Sequence, residues 1–171
     1  DRMNELEKVQ EWLRHYSEWK YYLRNNKILI QSIEQEIALE AAPRTARYEV
    51  APGGGGKRES QEEKALERKQ ELQDRLQDLK RRTFIVSTRI AMIENSLKAL
   101  IRLDRAIVQY RAFEGLSWVA ISMRLGYGEK FVRVRYKKIT QKLAVMLFGA
   151  GYDNDGGGPS IVPGNGGAMI A

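Results

Sequence analysis

Six cations, Lys130, Arg133, Arg135, Lys137, Lys138 and Lys142, fall within one short stretch, and no acidic residue occurs between Lys130 and Phe148. A solvated helix ordinarily alternates the sign of its charges, because opposite charges four residues apart stabilise it and like charges do the reverse. A run of this kind is tolerated where a partner supplies the negative charge. The chemistry open to these side chains is the binding of anionic oxygens, with Arg and Lys also able to donate to the acceptor edge of guanine.

Other chemistries are poorly served. There is no cysteine, and the one histidine is His15, so thiol catalysis, disulfides, histidine-cluster metal sites and a Ser-His-Asp arrangement are not expected. The acidic residues Glu62, Glu63, Glu67, Glu71, Asp74 and Asp78 are interleaved with Lys and Arg, the pattern of a solvated helix face. The glycine-rich "PGGGGK" lacks the spacing of a phosphate-binding loop and the hydroxyl residue after its lysine. The sequence predicts no enzyme, no catalytic residue, no metal and no cofactor.

The charge is unevenly spread. The net charge is +7, yet Lys98–Phe148 holds 11 Lys and Arg against 3 Asp and Glu. The basic excess therefore sits in one segment, which points to a polyanionic partner rather than to general solubility.

That segment also dictates its own local structure. The 3.6-residue period predicts a helix over Glu129–Phe148, with Val132, Tyr136, Ile139 and Leu143 on the packed face. The opposite face carries Lys130, Arg133, Val134, Lys137 and Gln141, and the flank carries Arg135, Lys138 and Lys142. Upstream, Ser117 is a natural N-cap for a short helix, Trp118–Leu125, with Trp118, Ile121 and Leu125 apolar. Gly126 supplies the left-handed conformation of a tight turn. Two helices joined in this way, the second basic, form a helix-turn-helix whose second helix suits the major groove of double-stranded DNA. The candidate interface comprises Ser117, Trp118, Lys130, Arg133, Val134, Arg135, Lys137, Lys138, Gln141 and Lys142.

Two long helices precede this module. Val9, Tyr16, Leu23, Ile30 and Ile37 recur at sevens, with Trp12, Trp19, Asn26 and Ile33 on a second track, and Leu6 and Leu13 widening the stripe. Leu72, Leu79, Val86, Ile93, Leu100 and Ile107 form a second seam, accompanied by Leu76, Thr83, Ile90 and Leu97. These are coiled-coil seams, with Asn26 a polar member that could fix register. Pairing within one chain or between chains is open, and the thin apolar stripes predict a homo-oligomer, a dimer favoured. The second long helix is expected to begin near Ser60, where Ser60 and Glu63 match a capping box, and Asp104–Gly115 is expected to end it. The fold class is all-α, a long helical hairpin or coiled coil followed by a C-terminal helix-turn-helix. The expected segments are a coiled-coil helix 1–41, a flexible linker 42–59, a second coiled-coil helix 60–103, the helix-turn-helix domain 104–148 and a disordered Gly-rich tail 149–171. No apolar run has the length of a membrane span. The charged opening "DRMNELEKVQ" does not read as a secretory signal. The expectation is a cytoplasmic protein.

The stretch "YRAFEGLSWVAISMRLGYGEKFVRVRYKKITQKL" resembles the promoter-reading helix-turn-helix of sigma-factor region 4 at Gly115, Leu116, Ser117, Trp118, Ile121, Leu125, Gly126 and Val132. It departs at Ser122, where alanine is usual, and at Gly128, where Ser or Thr caps the recognition helix. The wider layout is similar to the RinA/ArpU-type transcriptional activators, which switch on late or packaging genes in phages of Gram-positive bacteria. The resemblance implies a DNA-binding activator on the bacterial nucleoid, with Lys130, Arg133 and Lys137 facing the groove and Arg135, Lys138 and Lys142 near phosphates. RNA polymerase is a further candidate partner. The alternatives are a small terminase-like DNA-packaging subunit and a helical scaffold that binds only protein.

Overall fold

Apolar residues at sevens make helices that must bury one stripe, and the computed structural model shows where each stripe goes. It describes residues 4–41 and 57–149; most of the expected linker and the expected tail lie outside them. The described residues form helices joined by short turns, without a strand. The elements run α1 (Glu5–Ala41), α2 (Lys57–Lys98), α3 (Arg102–Val108), a π-helical turn (Gln109–Phe113), α4 (Trp118–Leu125) and α5 (Glu129–Phe148).

Helix α1 starts at a capping box. The Asn4 side chain accepts from the Leu6 N–H at 3.3 Å, and the Asn4 N–H donates to Glu7 at 3.0 Å. Two end groups that would otherwise lack helical partners are satisfied together. Helix α2 begins at Lys57, three residues ahead of the expected cap, so Ser60 lies inside the helix rather than at its N-cap.

The described residues form two compact units, one within Glu18–Thr88 and the other joining 4–17 to 89–149. In the first unit the seams meet within one chain. Ile33 and Leu72 are buried; Leu23, Ile30, Ile37, Leu76 and Leu79 are half-buried. Asn26 is also buried, and its amide donates to Thr83 Oγ1 at 3.1 Å. The Thr83 hydroxyl in turn donates to the Leu79 carbonyl at 2.7 Å, so the polar member of the seam has partners rather than a desolvation penalty. Outside the seam Lys80 pairs with Glu34 at 2.7 Å, and Arg68 approaches Glu36 and Glu40. Each pair has at least one well-exposed partner, and they contribute little to stability.

The second unit holds the basic segment. Its core contains Val9 and Leu13 from α1, Ile93 from α2, Ile107 and Val108 from α3, Ile121 from α4, and Val132, Ile139 and Leu143 from α5. Aromatic contacts extend it: Trp12 meets Phe148 edge-on at 4.9 Å, and Tyr16 stacks on Phe113 at 4.6 Å. The Tyr16 hydroxyl donates to Glu94 at 2.8 Å. The first turns of α1 are thus part of the packing around α5.

The long second helix does not continue to Gly115. It stops at Lys98, and Ile101 is extended (φ −66°, ψ 161°) before α3 begins. The Ala99 and Leu100 N–H groups donate to carbonyls three residues back, tightening the last turn. The bend leaves Leu100 buried and places Asp104 in the first turn of α3, where its carboxylate is buried against α5. Nothing in the local chemistry of Ala99–Ile101 marks this break; the tertiary partners of Leu100 and Asp104 stabilise it.

Candidate nucleic-acid interface

Ser117 caps α4 as its residue type requires. It is extended, and its hydroxyl oxygen accepts from the Ala120 N–H at 3.2 Å. Helix α4 ends at Gly126, whose φ of +72° is the left-handed conformation that glycine adopts without cost. Gly128 precedes α5 in extended geometry and offers no side-chain cap. Ser122, the departure from the usual alanine, donates its hydroxyl to the Tyr127 carbonyl. That bond ties the end of α4 to the turn and gives the departure a local use.

Upstream, the backbone widens into the π-helical turn. The Glu114 N–H reaches back to the Gln109 carbonyl at 2.9 Å, and the Leu116 N–H reaches the Tyr110 carbonyl at 2.9 Å. Gly115, at φ +67°, makes the reversal between them. Arg111 then donates to the Leu116 carbonyl at 3.0 Å and stacks over the Trp118 ring at 4.2 Å. Trp118 also meets Tyr136 edge-on at 5.3 Å, and burial pushes the Tyr136 phenol upward, with Arg111 opposing. Trp118 is therefore half-buried packing that joins the π-helical turn, α4 and α5, and its faces are engaged within the protein.

The six cations of α5 divide into two groups. Arg135 is committed inward: its Nε donates to Asp104 Oδ1 at 2.7 Å and its terminal nitrogen to Oδ2 at 3.1 Å. This fork-on-fork bond raises the guanidinium pKa further above its ordinary value. Asp104 is 3% exposed, so Arg135 anchors α5 to α3 instead of standing free on the flank. Arg133 is exposed, pairs with Glu129 one turn earlier, and lies 5.9 Å from the Trp118 ring. It sits at the edge of the outer surface.

The other group is outward. Lys130, Lys137, Lys138 and Lys142 are exposed, and among the described residues none has an acidic partner at ion-pair distance. Val134 is exposed between them, while Gln141 is half-buried. The buried sector of α5 is wider than the four residues expected, because Thr140, Ala144 and Leu147 join it. Rotation by 100° per residue from that broader sector puts Val134 and Lys138 at the crest, with Lys130 and Lys137 on one side and Lys142 on the other.

No family model, curated protein or solved structure matches the chain. The site's chemistry rests on its own geometry.

That geometry is a helix-turn-helix with a cationic outer ridge held at both edges, through Arg135–Asp104 on one side and the Arg133–Trp118–Arg111 stack on the other. Two features were beyond sequence reasoning. The Arg135–Asp104 pair joins positions 31 apart, and the stacking of Arg111 on Trp118 depends on the π-helical turn. The only sequence-level signal for the first was an isolated acid, Asp104, in a strongly basic segment. Among the described residues there is no cluster of three or more His, Cys, Asp or Glu able to hold a metal, and no helix long and apolar enough to cross a membrane.

Proposed function

We propose that this chain is a sequence-specific, double-stranded-DNA-binding transcriptional regulator that lays α5 in the major groove. One observation carries the reading: four outward lysines on the second helix of a helix-turn-helix have no acidic partner among the described residues. Four like charges on one helix surface repel one another, and a phosphate backbone relieves that repulsion while releasing its own counterions. In this reading Lys138 and Lys142, with the exposed N-cap Ser117, hold phosphates, and Lys130, Lys137 and Arg133 approach base edges. Arg135 positions the helix and takes no direct part.

The resemblance to RinA/ArpU-type proteins supplies the biological side of the proposal. The chain would activate phage late genes on the nucleoid of a bacterial cytoplasm, as a homodimer, with RNA polymerase a further partner. A dimer would present two α5 helices and read two half-sites.

Selection of bound sequences from a random duplex pool at physiological salt tests this. The expected result is a consensus with two half-sites at fixed spacing. Recovery of an unenriched pool would count against sequence-specific reading, and a single undivided site against the dimer.

A further inference from the structure

The lysine ridge is not purely polar. Phe131 and Val134, one turn apart on α5, are 43% and 49% exposed. By the 100° rotation Val134 falls between Lys130 and Lys138, and Phe131 between Lys138 and Lys142, both away from the buried sector of α5. Phe131 does not wave freely: Tyr127, in the turn, stacks on its ring at 4.9 Å with the planes 21° apart. Tyr127 is in turn held through its carbonyl by the Ser122 hydroxyl. An aromatic ring and a branched aliphatic side chain are thus fixed in the middle of a cationic surface.

We propose that Phe131 and Val134 read thymine, through apolar contact with its 5-methyl group in the major groove. This rests on the DNA-binding reading above and names the base that the same surface prefers. The lysines commit the surface to a polyanion by charge, and a polyanion that also offers an apolar group to a helix is limited. In the major groove the thymine methyl is the apolar projection among the four bases, all other edge groups being donors or acceptors. Lys130 and Lys137 can donate to acceptors on neighbouring base edges, but neither can distinguish a methyl from a hydrogen. The discrimination falls to Phe131 and Val134.

The experiment compares two 24-base-pair duplexes that differ only in that methyl. One is an alternating adenine–thymine duplex; the other carries deoxyuridine in place of every thymidine. Phosphate charge and base-edge hydrogen-bonding groups are identical, so counterion release is the same for both. Burying one methyl favours a complex about fourfold, and two about fifteenfold. The full chain, followed by fluorescence anisotropy, is expected to bind the thymine duplex about fifteenfold more tightly.

The Phe131→Ala, Val134→Ala double variant should bring the ratio to within about twofold, and the Phe131→Leu, Val134→Ile variant should keep it, since both retain an apolar contact. Both positions are exposed, and unchanged circular dichroism checks that the variants fold. Lys138→Ala should weaken both duplexes by the same factor and leave the ratio intact. Equal binding of the two duplexes by the unaltered protein, with the affinity still salt-dependent, overturns the thymine assignment and leaves DNA binding standing. A preference that survives the double alanine variant overturns it too. Binding to neither duplex at low salt removes the DNA reading itself, and this inference with it.

Discussion

The protein carrying Lys130→Ala, Lys137→Ala, Lys138→Ala and Lys142→Ala together is expected to bind duplex DNA on the order of a thousandfold more weakly at about 0.1 M salt, as about 1 kcal/mol lost per contact would give. The four side chains share three properties. They are exposed, they lie on α5, and they lack acidic partners among the described residues. None takes part in packing, so the folded state should keep its stability, and removing like-charge repulsion should raise it slightly. Anisotropy on one duplex with the unaltered and quadruple-variant proteins checks this. A loss below about tenfold, with the fold intact, would mean that the ridge is a solvated surface and that the partner lies elsewhere.

Arg135→Ala acts on a different quantity. Asp104 is buried and keeps both carboxylate oxygens on the Arg135 guanidinium. Truncating the arginine strands a desolvated charge, which in a fully buried pair destabilises by about 3–5 kcal/mol. The arginine side chain here is 34% exposed, so water can reach that edge, and about 2–3 kcal/mol is the expected loss. Urea unfolding followed by circular dichroism measures it. Arg135→Lys should recover only part, because an ammonium cannot reproduce the two-pronged geometry. Asp104→Leu combined with Arg135→Met should recover most, because no charge is then left unpaired. A loss under about 0.5 kcal/mol for Arg135→Ala would show that the pair is not holding α5 to α3. In DNA binding the same variant should leave the salt slope unchanged. A slope reduced by about one would restore Arg135 to the phosphate contacts that the family resemblance implied.

These two variants separate what local sequence could dictate from what it could not. The bounds of α4 and α5 are legible because their ends are chemical: Ser117 caps one helix, Gly126 turns the chain, and the next amphipathic period starts at Glu129. The seams were legible for the same reason, since a seven-residue repeat can be satisfied only by burial, and Ile33, Leu72, Ile90 and Ile93 are buried. The pairing of Asn26 with Thr83 settles what periodicity left open, that these two seams meet within the chain.

The end of α2 was not legible. Ala99–Ile101 contains neither glycine, proline nor a capping side chain, and a continuous helix is what propensity alone favours. The break follows from long-range partners, Leu100 in the core and Asp104 on Arg135. The facing of α5 was legible only in part. Four packed residues suggested Lys130, Arg133, Val134, Lys137 and Gln141 as its outer face. Lys130, Val134 and Lys137 do stand outward, but the buried Thr140, Ala144 and Leu147 turn the helix so that Lys138 and Lys142 join them, Arg133 moves to the edge and Gln141 is half-covered. Trp118, grouped by sequence with the DNA-contacting residues, is engaged by Arg111 and Tyr136. Its contribution is to the position of Arg133.

The most direct measurement is the salt dependence of affinity for duplex DNA by the unaltered chain. Lys138 and Lys142 on phosphates, with Lys130 and Lys137 bringing two further charges into the groove, predict that log K falls linearly against log[salt] with a slope between about −2 and −4. A slope near zero on the tightest-binding duplex would contradict the claim that nucleic acid neutralises the outer surface of α5.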